Sequence, residues 1–235
     1  MYSLNKKIEA LEPYQPLDGD FEVRLDANES FIELDEAIAE EIGEAIKKIP
    51  FNRYPDPMAN KCREAFAAFY GIDKDLVVAG NGSDELISVI VNGFFGRGDR
   101  VLITSPDFSM YRFYCHIAEV EAEVLEKSPL EVSADEIIRR AKECGSKGVI
   151  LSNPCNPTSK GLCRQDVLKM AESLPDKLIV IDEAYMEFWD ESIMRHVPDF
   201  DNVILLKTCS KAFGLAAIRL GFAVANRRLS RAVAA

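Results

Sequence analysis

The sequence predicts an α/β fold of three layers: a mostly parallel central sheet with helices on both faces, preceded by an N-terminal arm. Three observations predict it. Short apolar runs, "DLVVAG", "RVLITSP", "GVILSNP", "KLIVIDEAY" and "NVILLKTCS", recur between segments of helical length. Most of these runs are continuously apolar rather than alternating, as strands buried on both faces are. Polar residues gather where four of them end, at "SP" from 105, "SNPCNPT" from 152, "DEAY" from 182 and "KTCSK" from 207. Sheets of this kind bind ligands outside the carboxyl ends of their strands.

Taken in order, residues 1–30 read as an arm, because Pro13, Pro16 and Gly19 break any periodicity. "ELDEAIAEEIGEAIKKI" predicts an amphipathic helix, its acids early and its lysines late as the helix dipole favours. "FNRYPDP" is a loop, since each proline biases its predecessor away from helix. "ANKCREAFAAFYG" is a helix stopped by Gly71. "DLVVAG" is a strand, "GSDELISVIVNGFFG" a helix and "RVLITSP" a strand. "MYRFYCHIAEVEA" and "SADEIIRRAKECG" are expected to be helical, "GVILSNP" a strand and "RQDVLKMAESL" a helix. "KLIVIDEAY" and "NVILLKTCS" complete the strands. The expected division is an arm with the first helix over 1–50 and the ligand-binding large domain over 51–235.

The chain has 235 residues, 48% hydrophobic and 29% charged, the profile of a globular protein with ample core material. Its net charge of −11 argues against a nucleic-acid partner. No stretch reaches the length of a membrane span, and the first residues lack the apolar core of a signal peptide. Six cysteines form no C-x-x-C pair and are accompanied by only two histidines, so no metal site is expected. Their scatter through apolar segments suggests reduced thiols in the cytoplasm.

Lys211 poses the chemical question. A lysine almost never goes inside unless something pairs or reacts with it, yet this one sits in "KTCSKAFGLAAIRLGF". Alone it reads as a lysine whose stem packs while its amine reaches water. Its neighbours change that reading. Asp182 ends an apolar strand and can pair with a cationic ring nitrogen. Asn156, in a proline-stiffened turn, can donate to a phenolate oxygen, and Tyr185 lies three residues past Asp182. Thr208, Ser210 and Arg219 offer hydroxyls and a donor fork suited to phosphate. Ser83 and Asp84 open a helix whose free N–H groups attract anions, although both also serve as ordinary caps. Phe108 can lie flat on an aromatic ring. One ligand uses all of these: pyridoxal phosphate, whose aldehyde a lysine amine attacks.

In these motifs the chain resembles the fold type I, pyridoxal-phosphate-dependent aminotransferases, and among them the histidinol-phosphate aminotransferase family. The resemblance runs from "LEPYQP" to "RLGF" through "LDANES", "RYPDP", "GNGSDE", "NPCNPT" and "DEAY". It implies that Lys211 joins the cofactor's aldehyde carbon and carries the substrate proton. Asp182 would contact the ring nitrogen, Asn156 and Tyr185 the phenolic oxygen, and Phe108 the ring face. Ser83, Asp84, Thr208, Ser210 and Arg219 would take the phosphate. It implies that Tyr54 reaches the cofactor of a partner subunit, which makes a homodimer, and that Tyr14 and Asn28 lie near the substrate. The implied reaction moves an amino group between L-histidinol phosphate and 2-oxoglutarate. Threonine-phosphate decarboxylation, another amino-acid transamination, or a cofactor-binding remnant with little catalysis are the rival expectations. Two departures stand out. Ser159 takes the place of the family's glycine after "NPT". The segment carrying the arginine that grips the substrate carboxylate is absent, so a retained cofactor cup with poor turnover is expected.

Overall fold

The computed structural model describes residues 2–9, 11, 12, 15 and 17–235. Its chain order begins with α1 (Lys6–Glu9) and α2 (Glu36–Lys47), then α3 (Asn60–Tyr70), β1 (Val77–Asn81), α4 (Gly82–Phe94), β2 (Arg100–Ser105) and α5 (Met110–Ile117). It continues with β3 (Glu121–Glu126), α6 (Ala134–Glu143), β4 (Gly148–Ser152), α7 (Arg164–Ser173) and β5 (Leu178–Asp182). It ends with β6 (Val203–Thr208), β7 (Leu220–Ala225) and α8 (Arg227–Val233).

The strands form one seven-stranded sheet in the order β1-β7-β6-β5-β4-β2-β3. Strands β2 to β6 pair in parallel, and β7 runs antiparallel to both β6 and β1. The mostly parallel α/β architecture expected from the sequence is therefore present. Two details differ. The segment expected to be helical through residue 122 leaves the helix at Ile117 and becomes the edge strand β3. "LGFAVA" forms β7, a strand that the apolar runs had not singled out.

Alternation along the strands builds two cores. Leu102, Val149, Leu151, Ile179, Ile181 and Leu205 face one layer, with Phe66 of α3, Ile137 of α6 and Met170 of α7. Val101, Ile103, Ile150, Val180, Ile204 and Leu206 face the other, with Leu86 and Ile90 of α4, Tyr111 of α5 and Leu229 of α8. Each face removes bulky aliphatic side chains from water, at about 1.5–3 kcal/mol per fully buried residue. Local signals agree with this frame. Ser133 and Glu136 close a reciprocal capping box at the start of α6. Asp35 caps α2 by accepting from the Ala37 N–H. α2 is helical as expected, but it has no buried residue, and Ile38 and Ile46 of its apolar stripe are exposed.

One contact sets the position of α4. A Cβ built on Gly221 of β7 would overlap the Ser83 nitrogen and the Gly82 carbonyl carbon. Only glycine lets β7 approach the amino end of α4 this closely. Gly221 also pairs with Gly80 of β1 and Thr208 of β6. The expected departure at Ser159 likewise has a physical reading. Ser159 holds φ +58°, the left-handed region that glycine occupies freely, and its N–H donates to the Cys155 carbonyl at 2.8 Å. The turn keeps a glycine-type conformation with a serine in it.

Gly221→Ala should lower stability by about 3 kcal/mol in urea unfolding, because the overlap is with backbone that cannot rotate away. Ser159→Gly should raise stability by about 0.5–1 kcal/mol, measured the same way.

Candidate active site

The parallel register brings the carboxyl ends of three central strands level. Ser152 of β4 pairs with Asp182 of β5, and Asp182 with Leu206 of β6. The loops that leave these strands carry Asn156, Tyr185 and Lys211, so they open on one edge of the sheet.

Asp182 is 4% exposed. The Tyr111 hydroxyl donates to its Oδ2 at 2.9 Å and the Ala184 N–H to its Oδ1 at 3.1 Å. Among the described residues it belongs to no ion pair. Burial pushes its carboxyl up to about 6, against the pull of those two hydrogen bonds and of Lys207. Lys211 is half-buried, and its Nζ donates to the Ala27 carbonyl at 2.6 Å. The amine lies 5.9 Å from the Tyr185 ring centroid. Burial lowers its proton affinity, with Arg219 adding to that and Glu29 and Asp182 opposing. An acid raised and a base lowered at the ends of adjacent strands is the pattern of a site built for proton transfer.

Asn156 and Tyr185 meet through the arm. The Asn28 amide nitrogen lies 3.3 Å from Asn156 Oδ1 and 3.1 Å from the Tyr185 hydroxyl. Asn28 takes φ +50°, one of five non-glycine residues in the left-handed region among the described residues. Residues 27 and 28 therefore lie against Lys211, Asn156 and Tyr185 at once. Burial raises the Tyr185 hydroxyl above its ordinary value, which the Asn28 hydrogen bond opposes.

The amino end of α4 makes the second half of the site. A Cβ on Gly82 would stand 2.9 Å from Arg219 Nη2, so this guanidinium lies over the first turn of the helix. Arg219 itself holds φ +56°. Through Gly221, the same turn lies against the end of β6, where Thr208 Oγ1 and Ser210 Oγ are 3.0 Å apart and buried. Free N–H groups, two hydroxyls and one guanidinium thus converge, a set suited to a phosphate dianion. Asp84 contributes its backbone here, while its Oδ2 accepts from the Tyr114 hydroxyl at 2.9 Å. Phe108 is 38% exposed at the rim and edge-on to Tyr111, with centroids 5.6 Å apart.

Tyr54 is not brought into this assembly; its side chain is fully exposed. Tyr14 lies outside the described residues. Conversely, Tyr111, wholly buried against Asp182, had no motif to announce it; its signal was its place three residues after Phe108, one turn along the same helix start. Asp107 was missed too. It accepts from Thr104 Oγ1 at 2.6 Å, from Ser152 Oγ and from the Phe108 N–H at 2.8 Å, tying three parts of the rim together.

The residues present fit pyridoxal phosphate. Asp182 is a buried carboxylate that, among the described residues, has no ion-pair partner, as a protonated ring nitrogen requires. The glycine-lined turn beside Arg219 leaves room where a Cβ would intrude.

The aminotransferase class I and II family matches residues 22–235. Histidinol-phosphate aminotransferase of Clostridium novyi is 38% identical over 97% of this chain and 64% of its own length. That of Thermococcus kodakarensis is 36% identical over 98% of this chain and 67% of its own. The crystal structure of histidinol-phosphate aminotransferase from Sinorhizobium meliloti in complex with pyridoxal-5'-phosphate superposes with a TM-score of 0.88. That likeness covers 97% of this chain and 64% of the other at 23% identity, and it establishes the fold. The chain thus spans about two thirds of the length of these relatives.

Because its folded pKa is raised, Asp182 favours the native state when protonated; that contribution is complete below about pH 4 and is lost as pH rises through about 6. Without cofactor, Asp182→Asn should therefore gain roughly 3 kcal/mol on the native chain between about pH 4 and pH 7. Urea unfolding of both proteins at the two pH values measures this difference.

Proposed function

We propose that this chain, which belongs to the aminotransferase class I and II family, binds pyridoxal phosphate and serves amino transfer between L-histidinol phosphate and 2-oxoglutarate. The observation that carries the reading is a buried Asp182, its acid weakened, at the end of β5, beside the loop leaving the neighbouring strand β6 that carries a half-buried Lys211, its amine made less basic. The relatives' names supply the substrate pair.

When bound, pyridoxal phosphate supplies an aldehyde carbon and a ring that spreads carbanion charge. The chain supplies the rest. Asp182 holds a proton on the ring nitrogen and gains the cation that its burial lacks. Asn156 and Tyr185 orient the ring through its phenolic oxygen, and Phe108 covers a face. Ser83 and Asp84 through their N–H groups, with Thr208, Ser210 and Arg219, hold the phosphate. The lowered basicity of Lys211 raises the fraction of neutral amine, which can take a proton from the substrate α-carbon and return it. Ala27 and Asn28 close the mouth near the substrate, and Tyr14 of the same arm is assigned to that side.

The large domain is taken as residues 51–235, with the arm and first helix before it. Phe31 and Ile38 before this boundary, and Phe51 and Tyr54 just after it, are exposed apolar side chains. We assign them to contact with a second copy, with Tyr54 reaching the partner's phosphate. Among the described residues no helix is long and apolar enough to cross a membrane, which accords with a cytoplasmic enzyme.

Mixing the chain with pyridoxal phosphate should produce a visible absorption band that Lys211→Ala abolishes. Glutamate formed from L-histidinol phosphate and 2-oxoglutarate tests the substrate pair. No band in the unaltered chain would refute the cofactor reading. A band with carbon dioxide released from threonine phosphate, and no glutamate, would replace the reaction.

A further inference from the structure

Behind the candidate site lies a buried lysine–cysteine pair that the proposed reaction does not use. Lys127 follows β3 and Cys155 lies in the turn after β4. Lys127 Nζ is 2.8 Å from Cys155 Sγ. The lysine is 9% exposed and the cysteine 5%. Nζ also donates to the Pro106 carbonyl at 2.9 Å and pairs with Asp107 Oδ2 at 3.2 Å. The Asp107 side chain is 2% exposed, so the lysine is its buried counter-ion. The pair adjoins the site through Cys155, which precedes Asn156, and through the lysine's partner Asp107, which precedes Phe108. A cavity of about 140 Å³ is lined by Lys127, Ser152, Asn153, Cys155, Thr158 and Lys160. A water needs only about one probe sphere of such space, so the cavity has room for a peroxide molecule beside Cys155.

We propose that Cys155 and Lys127 form a covalent sulfur–nitrogen crosslink under hydrogen peroxide. The thiol takes one oxygen from peroxide, giving sulfenic acid and water. The Lys127 nitrogen then attacks sulfur and the S–O bond breaks. The ammonium first gives one proton to Asp107, which frees the lone pair that attacks, and then one proton to the departing oxygen, which leaves as a second water. Thiol, ammonium and peroxide become an S–N bond, two waters and one proton, and peroxide is the species reduced. A nitrogen held 2.8 Å from the sulfur outcompetes further oxidation. The bond takes the counter-ion from Asp107, whose hydrogen bonds fix Phe108 and Ser152. The protonated Asp107 is a neutral acid with one oxygen turned donor, so it no longer accepts from Thr104, Ser152 and Phe108 as the carboxylate does, the rim must rearrange, and oxidation should loosen the cofactor cup. That last step rests on the proposed cofactor reading.

The test uses the full chain carrying Cys62→Ser, since Cys62 is exposed and would oxidise independently. After peroxide, intact mass should fall by about 2 Da, and digestion should yield one peptide joining residues 127 and 155, released by dithiothreitol. Cys155→Ser should abolish the crosslink. Lys127→Arg keeps the counter-ion, and should leave Cys155 gaining oxygen instead. Pyridoxal phosphate should bind the crosslinked chain roughly tenfold more weakly, reversibly with dithiothreitol. Cys155 recovered as free thiol or as sulfinic acid, without the joined peptide, overturns the proposal. A joined peptide with unchanged cofactor affinity overturns the link to the site. Untreated protein that binds no pyridoxal phosphate overturns the cofactor reading instead, while the mass result still decides the crosslink.

Discussion

The architecture depends on one costly placement: a carboxylate at the buried end of a central strand. Removing a carboxylate from water costs several kcal/mol unless charge or hydrogen bonds compensate. Asp182 receives two hydrogen bonds, from a wholly buried tyrosine and from a backbone N–H. They do not restore an ordinary acid strength, and its carboxyl stays near 6. In the proposed function a cationic ring nitrogen would supply what is lacking. The parallel register fixes where such a ligand sits, because the ends of β4, β5 and β6 are level and their loops open together.

The two lysines of "KTCSK" show how strand alternation divides labour. Lys207 points away from the Thr208 side, into a closed network. Its Nζ meets Glu187 at 2.7 Å and Glu183 at 3.3 Å, and Tyr70 donates to the same Glu187 oxygen at 2.7 Å. Glu183 in turn accepts from the Ile193 N–H and the Ser192 hydroxyl. This network locks the turn after β5 from behind, which is where buried ion pairs act more through geometry than through stability. Lys211, four residues on, donates to the neutral Ala27 carbonyl and, among the described residues, is in no ion pair.

Legibility in the sequence followed the range of the forces involved. Buried parallel strands announced themselves as unbroken Val/Ile/Leu runs, and "SADEIIRRAKECG" carried its own cap. The strand "EAEVLE" was hidden because glutamate, alanine and leucine are good helix formers, and only pairing with β2 at the sheet edge decides otherwise. "LGFAVA" was hidden because its antiparallel fit depends on Gly221 meeting α4, which lies far away in sequence. The candidate site divides similarly. Lys211, Asp182, Asn156 and Arg219 stand in motifs whose chemistry is local. Asp107 and Lys127 have no local signal, and Tyr111 only its spacing from Phe108, since their partners are brought to them by the folded sheet. Tyr54 is exposed in the single chain, and no intrachain force specifies its place.

Carbon-13 NMR of the side-chain carboxyls, with Asp182 identified through its loss in Asp182→Asn, tests the central claim most directly. Without cofactor the Asp182 signal should titrate near 6. With pyridoxal phosphate bound it should stay ionised to below about pH 4, because the ring cation favours the charged form. A titration that the cofactor leaves unmoved, or one that already lies in the ordinary carboxylate range without it, would contradict the account.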